Sequence, residues 1–112
     1  MPFQTLVSAE IVASRLNDPK WAMVDCRFDL NDHAVGTRLY KEKHIPGAVY
    51  AHLDKHLSAP STGKNGRHPL PDTRQLQSTF SKWGIDSRVQ VVAYDQGSGM
   101  FASRLWWLLR YL

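Results

Sequence analysis

At 112 residues, the chain is long enough for one hydrophobic core and too short for two. Hydrophobic residues make up 43% and charged residues 21% of it, a balance that excludes a disordered or collagen-like chain. The net charge of +4 suits anionic partners, but its lysines and arginines are scattered without interleaved aromatic residues, so we expect no nucleic-acid binding.

The first part of the chain predicts a helix followed by a strand. Ser8 is a favourable N-cap residue, and apolar positions at helical spacing follow it until the turn residues 17–19. Residues 21–26 form a short apolar run, typical of a strand buried on both faces of a parallel sheet. Residues 29–43 lack clear periodicity, and we interpret them as an irregular connection in which only 39–43 could form a helical turn.

The middle of the chain predicts a second strand, a long loop and a second helix. The strand is expected at 48–51, and a stretch rich in serine, proline, glycine and lysine continues from it to Pro71. Asp72 and Gln75 have the spacing of a capping-box variant. Apolar residues then mark one helical face until Gly84 provides the stop: Leu76, Phe80 and Trp83.

The last part of the chain predicts a strand, a tight loop and an apolar helix. Residues 89–94 are rich in strand-forming types, 95–99 form the loop, and the helix covers 101–112. Helices alternating with short apolar strands predict an α/β domain with a mainly parallel sheet, whose ligands bind beyond the carboxyl ends of its strands. Because no strand follows the last helix, we expect residues 1–112 to be one domain that is incomplete at its C terminus.

Targeting and metal-binding signals are missing from the sequence. No run of about 18 apolar residues occurs, and the first ten residues do not have the pattern of a signal peptide, so we expect a cytoplasmic protein without membrane contact.

The single cysteine, Cys26, excludes an internal disulfide and any zinc site with several thiolates. Its position at the end of an apolar strand favours a buried thiol. His33, His52 and His56 have no ligand spacing, and we predict neither a metal nor a cofactor.

Three segments, taken in chain order, resemble the rhodanese superfamily, in particular the amino-terminal, non-catalytic domain of two-domain sulfurtransferases. The first is similar to a strand that ends in Asp-x-Arg, the second to a Gly-His-Ile-Pro-Gly-Ala block with Lys43 in place of the leading glycine, and the third to the active-site loop and its helix. The segments are Val24-Asp25-Cys26-Arg27, His44-Ile45-Pro46-Gly47-Ala48, and Tyr94-Asp95 through Arg104-Leu105-Trp106-Trp107. The resemblance implies a three-layer domain with a central sheet flanked by helices.

The resemblance also implies the activity of a larger protein. In catalytic rhodanese domains a cysteine begins the loop, and backbone N–H groups at a helix N terminus hold its persulfide. Asp95 stands at that position, and a carboxylate cannot carry sulfane sulfur. We therefore expect no catalytic residue in this chain. The parent would move sulfane sulfur from thiosulfate or 3-mercaptopyruvate, small anionic donors, to cyanide or a thiol through the cysteine of a second rhodanese domain.

Two residues of the long loop are candidate contributors to the parent's site. His68 lies in a segment that resembles the His-x-Leu-Pro of the mercaptopyruvate-using subgroup, where the histidine faces the other domain's cysteine, and Asp54 matches an acidic residue of that subgroup. The resemblance implies a relay in which the carboxylate orients an imidazole that handles protons. A solvent-exposed loop histidine is the alternative interpretation of His68.

The sequence leaves one alternative to sulfur transfer open and argues against another. A free-standing, inactive rhodanese-like module that binds a protein partner remains the alternative hypothesis. Phosphoryl transfer is unsupported, because the related phosphatases need a cysteine and an arginine six positions later, where this chain has Asp95 and Phe101. Trp106 and Trp107 are adjacent on one helix and cannot both face the core, so one of them meets either a partner surface or a second core. The alternative is that a completed domain covers both faces of the helix.

Overall fold

The computed structural model describes residues 3–112, in which three parallel strands form one sheet with helices on both faces. The strands are β1 (Trp21–Asp25), β2 (Val49–Tyr50) and β3 (Gln90–Tyr94), and their order in the sheet is β2-β1-β3. The helices are α1 (Ala9–Ser14), α2 (Val35–Glu42), α3 (Thr73–Lys82) and α4 (Met100–Tyr111). The predicted α/β class and parallel sheet are confirmed.

Alternating side chains of the strands build a core on each face of the sheet. Val24 of β1 pairs with Ala93 of β3, and both side chains join the larger core against α3 and α4. That core contains fully buried residues from both helices: Leu76, Leu105 and Leu108. Met23 pairs with Val92, and both pack on the opposite face with Val12 of α1. The sheet is therefore the middle of three layers, as the apolar run of β1 predicts.

The predicted helix signals are confirmed at two positions and wrong at a third. The hydroxyl of Ser8 caps α1 by accepting from the amide of Ile11 at 3.3 Å. Gly84 follows α3 with a φ of +77°, a conformation that favours glycine and ends the helix. Asp72 occupies the N-cap of α3, but its side chain makes no capping hydrogen bond, so the predicted capping box with Gln75 is wrong.

The predicted irregular connection at 29–43 is wrong over most of its length, because α2 occupies eight of these residues. Tertiary contacts explain a helix that periodicity does not reveal. Gly36 is buried where a side chain would collide with the Tyr50 hydroxyl and the Arg27 carbonyl, so α2 needs glycine to approach β2. At its other end, Tyr40 stacks on His44 with ring centroids 3.8 Å apart and donates its hydroxyl to the carbonyl of Ala48. These contacts dock α2 beside the carboxyl ends of β1 and β2.

The two tryptophans of α4 lie beside the core. Leu105 and Leu108 are fully buried, whereas 39% of Trp106 and 45% of Trp107 are exposed. Trp106 donates its indole N–H to the carbonyl of Gln4 at 2.7 Å, and Trp107 stacks on Tyr111 at 5.1 Å. The prediction that adjacent tryptophans cannot share the core face is confirmed. No helix within residues 3–112 is long and apolar enough to cross a membrane.

Candidate functional site

The end of β1 carries an ion pair in which the aspartate is buried and the arginine is partly exposed. Asp25 is fully buried, and its carboxylate accepts hydrogen bonds from the Nε and Nη2 atoms of Arg27 at 3.0 and 2.7 Å. The hydrogen bond to Asp25 raises the pKa of Arg27. Arg27 Nη2 also donates to the carbonyl of Lys43 at 2.6 Å, which ties β1 to the end of α2. The geometry shows that the Asp-x-Arg motif fixes the following connection.

Cys26 is unsuited to be a nucleophile. Only 1% of the residue is exposed, and its thiol lies 3.9 Å from the carbonyl of Val24. Burial raises the pKa of this thiol far above its ordinary value, and the negative charges of Asp25 and Asp95 raise it further. Since the thiolate is the reactive form, the predicted interpretation of Cys26 as a buried structural thiol is the one the geometry supports.

The loop between β3 and α4 closes around the side chain of Asp95. One carboxylate oxygen accepts from the amides of Gly97 and Gly99 at 3.0 and 3.2 Å, and the other accepts from those of Phe101 and Ala102 at 3.1 and 2.9 Å. The last two amides belong to the first turn of α4, where N–H groups lack helical partners. The loop is therefore an anion cradle that the protein's own carboxylate fills.

The long loop brings the two candidate residues Asp54 and His68 together. His68 Nδ1 lies 3.3 Å from one carboxylate oxygen of Asp54, and His33 Nδ1 lies 2.7 Å from the other. The Nδ1 atom of His68 is buried and has no hydrogen-bond partner among the described residues, so the contact with Asp54 has the distance of an ion pair without the alignment of a hydrogen bond. The His33 contact could not be predicted, because His33 and Asp54 are 21 positions apart and share no motif.

Arg104 of α4 anchors the loop that carries His68. Its Nη2 atom donates to the carbonyls of Leu57, His68 and Pro69 at 2.9, 3.0 and 3.2 Å, and its Nε atom donates to Leu57 at 3.1 Å. Burial lowers the pKa of this guanidinium. The planar fork thus joins both ends of the loop to one helix. This role could not be predicted from the sequence, because the acceptors are backbone carbonyls, which leave no residue-type signal.

The candidate site combines a filled anion cradle with a carboxylate shared by two imidazoles. An imidazole beside a carboxylate can accept and release protons near neutral pH. Within residues 3–112, no group of three or more His, Cys, Asp or Glu side chains is arranged to hold a metal ion. In the long loop, this arrangement supports proton transfer by an imidazole. In the Asp95 loop, the carboxylate takes the place that a bound anion would occupy.

Comparisons with known proteins give a consistent result. The family model described as "Rhodanese-like domain" matches residues 8–112. A probable 3-mercaptopyruvate sulfurtransferase of Pseudomonas aeruginosa is 49% identical over 108 residues, which are 96% of this chain and 38% of the relative. A putative thiosulfate sulfurtransferase of Mycobacterium tuberculosis is 37% identical over 108 residues, 95% of this chain and 37% of the relative.

A solved structure of similar fold also belongs to a sulfurtransferase. The 3-mercaptopyruvate sulfurtransferase from Leishmania major superposes with a TM-score of 0.89 at 30% sequence identity. The match covers 100% of this chain and 31% of the other. This chain therefore spans only about a third of the length of the relatives it matches.

Proposed function

The chain belongs to the rhodanese-like domain family, and from this premise we propose that it forms the non-catalytic domain of a sulfurtransferase whose second rhodanese domain carries the catalytic cysteine. The parent moves a sulfur atom from 3-mercaptopyruvate or thiosulfate to cyanide or a thiol, and the catalytic cysteine carries it as the sulfane sulfur of a persulfide. The names of the relatives from Pseudomonas aeruginosa and Mycobacterium tuberculosis support this reaction class. The share of their length that the chain covers supports a second domain and favours this function over a free-standing binding module.

The observation that carries the proposal is the Asp95 carboxylate with its four backbone N–H partners. A persulfide needs a thiolate in such a cradle, and here the cradle holds an anion that cannot bond to sulfur. Cys26 offers no substitute because it is buried and its pKa is raised. In this proposal the loop preserves the architecture of a sulfur site while the chemistry takes place in the other domain.

The contribution of this chain to the reaction is the Asp54–His68 pair. With 3-mercaptopyruvate as donor, the cysteine thiolate of the second domain attacks the donor sulfur, and the carbon–sulfur bond breaks. The thiol proton of the donor ends on the methyl carbon of pyruvate, and the cysteine becomes a persulfide anion. His68 carries that proton, and the Asp54 carboxylate, 3.3 Å from its Nδ1 atom, orients the ring.

The decisive experiment compares the 112-residue chain with a protein in which the chain is followed by a catalytic rhodanese domain. We expect thiocyanate from thiosulfate and cyanide only in the second case, because the chain alone has no accessible thiolate. Cys26→Ser in both proteins is the matched control and should change neither result. Thiocyanate production by the chain alone that disappears in Cys26→Ser would overturn the proposal.

A further inference from the structure

A single helical turn at residues 52–57 carries Asp54. The amides of His56 and Leu57 donate to the carbonyl of His52 at 2.9 and 3.3 Å, and this closes the turn. So short a turn has almost no cooperative stability of its own, so its free N–H groups need side-chain partners. Its geometry determines where the Asp54 carboxylate points.

Two histidine rings supply these partners. His52 Nδ1 accepts from the amides of Asp54 and Lys55 at 3.1 and 3.3 Å, and His56 Nδ1 accepts from the amide of His52 at 2.8 Å. This reciprocal exchange has the form of a capping box, with imidazoles in place of the usual hydroxyl and carboxylate groups. A ring nitrogen that accepts hydrogen bonds carries no proton, so His52 is a neutral imidazole with its proton on Nε2.

The other nitrogen of His52 connects the turn to a second loop. Its Nε2 atom donates to the carbonyl of His33 at 3.1 Å. Only 6% of His52 is exposed, and its ring packs edge-on against Phe28 with centroids 5.3 Å apart. His33 in turn places its Nδ1 atom 2.7 Å from the Asp54 carboxylate. One buried ring therefore fixes both the backbone of Asp54 and the residue that contacts its side chain.

We propose that His52 is a positioning residue which, together with the capping ring of His56, holds the Asp54 carboxylate between His33 and His68. The inference rests on the proposed function, in which Asp54 and His68 act as a pair. His52 itself has both ring nitrogens engaged with backbone groups and takes no part in proton transfer. Its effect on the reaction is transmitted through the placement of Asp54.

Three substitutions separate the two contacts of the His52 ring. His52→Asn keeps a side-chain oxygen for the amides of Asp54 and Lys55, as in an Asx turn, but is too short to reach the His33 carbonyl. His52→Gln reaches further and keeps a donor for that carbonyl while losing the acceptor beside the turn. His52→Phe keeps a ring against Phe28 and removes both contacts.

The position of Asp54 can be measured by NMR on the 112-residue chain without any activity. In His52→Phe we expect amide hydrogen exchange at Asp54 and Lys55 to accelerate about tenfold or more. The imidazole Hε1 signal of His68 should move in the same direction as in Asp54→Asn. His52→Asn should keep the two amides protected and the His68 signal close to its wild-type position. Where His52→Phe fails to fold, His52→Gln replaces it and is expected to show the same accelerated exchange.

Two results of the NMR experiment would overturn the inference. One is a His68 signal that stays at its wild-type position in His52→Phe while Asp54→Asn moves it. The other is a His68 signal that Asp54→Asn itself does not move, because the carboxylate would then not be held against this ring.

Kinetics in the two-domain protein separate this inference from the proposed function. We expect His52→Phe to lower kcat with 3-mercaptopyruvate about tenfold at nearly constant KM, and His52→Asn to recover most of it. If His68→Ala lowers kcat and His52→Phe does not, the positioning role is wrong and the relay stands. If His68→Ala leaves kcat unchanged, the relay is wrong, and the NMR result alone decides whether His52 places Asp54.

Discussion

Two carboxylates follow the two strands that flank β1 in the sheet, and their partners differ in kind. Asp95, directly after β3, accepts hydrogen bonds from four backbone amides, whereas Asp54, after β2, faces the rings of His33 and His68. Backbone amides do not change their charge, so they fix a carboxylate permanently. Imidazoles change their charge near neutral pH, so they couple a carboxylate to proton transfer. The partners, and not the residue type, separate the structural carboxylate from the candidate functional one.

The two carboxylates should differ most in how much they contribute to the free energy of unfolding. Asp95→Ala leaves four amides of the loop and of the first turn of α4 without their acceptor, and we expect it to lower the free energy of unfolding by about 3 kcal/mol. Asp54→Ala removes only partly exposed contacts with two rings and should cost less than about 1 kcal/mol. Urea unfolding of both variants measures the contrast. Equal losses would mean that Asp54 is as structural as Asp95.

Activity of the two-domain protein should show the opposite order. We expect His68→Ala to lower turnover with 3-mercaptopyruvate roughly a hundredfold, the low end for loss of a positioned acid–base group. Asp95→Asn keeps an acceptor in the loop and should leave turnover within about twofold of the wild type. Steady-state kinetics of the two variants provide the comparison. Unchanged kinetics in His68→Ala would mean that this partly buried histidine only supports the structure of the loop.

Arg104 anchors the loop that carries His68, and its replacement should have a smaller effect on stability than that of Asp95. Lysine at this position lacks the Nε donor to the Leu57 carbonyl and the rigid plane that holds Nη2 among the three carbonyls, so Arg104→Lys should lower the free energy of unfolding by about 1 to 2 kcal/mol. Arg110→Lys is the matched control on the same helix, because Arg110 is exposed and lies over the ring of Trp106. Equal thermal stability of the two variants would contradict an anchoring role for Arg104.

The smallest effect is a dependence of stability on pH. Burial lowers the pKa of His52 and His56 in the folded chain, so the unfolded chain takes up protons first as the pH falls below about 6.5. Their contribution to stability is fully present above that pH and is lost as the pH falls through their folded-state pKa values. We expect a lower urea midpoint at about pH 5 than at about pH 7.5, and a flatter profile in the double variant His52→Asn, His56→Gln. Identical profiles would assign the pH dependence to other groups.

The sequence predicts those parts of the molecule that are encoded locally. Ser8 caps α1, Gly84 ends α3 and the apolar run at β1 forms a strand with buried residues, as predicted. Each of these signals depends only on residues close in the chain. The motifs also locate Asp54 and His68, although their closeness is visible only in the fold.

The missed features depend on contacts between distant segments. α2 is held by the approach of Gly36 to Tyr50, and no periodicity in the sequence records that approach. The partners of Arg104 are carbonyls, which every residue has. The role of His52 depends on a carbonyl 19 positions earlier in the chain. Local patterns cannot predict such contacts.

The carboxylate inside the Asp95 loop should prevent dissolved anions from binding there. A ligand that is covalently part of the chain is present at an effective concentration that dissolved ions do not reach, and it is not lost by dilution. Free sulfate, sulfite or thiosulfate should therefore fail to displace it. We expect the amide resonances of Gly97 and Gly99 to be insensitive to these salts, because the loop is permanently occupied by its own carboxylate. An anion that slows the proposed two-domain enzyme would then have to act at another place.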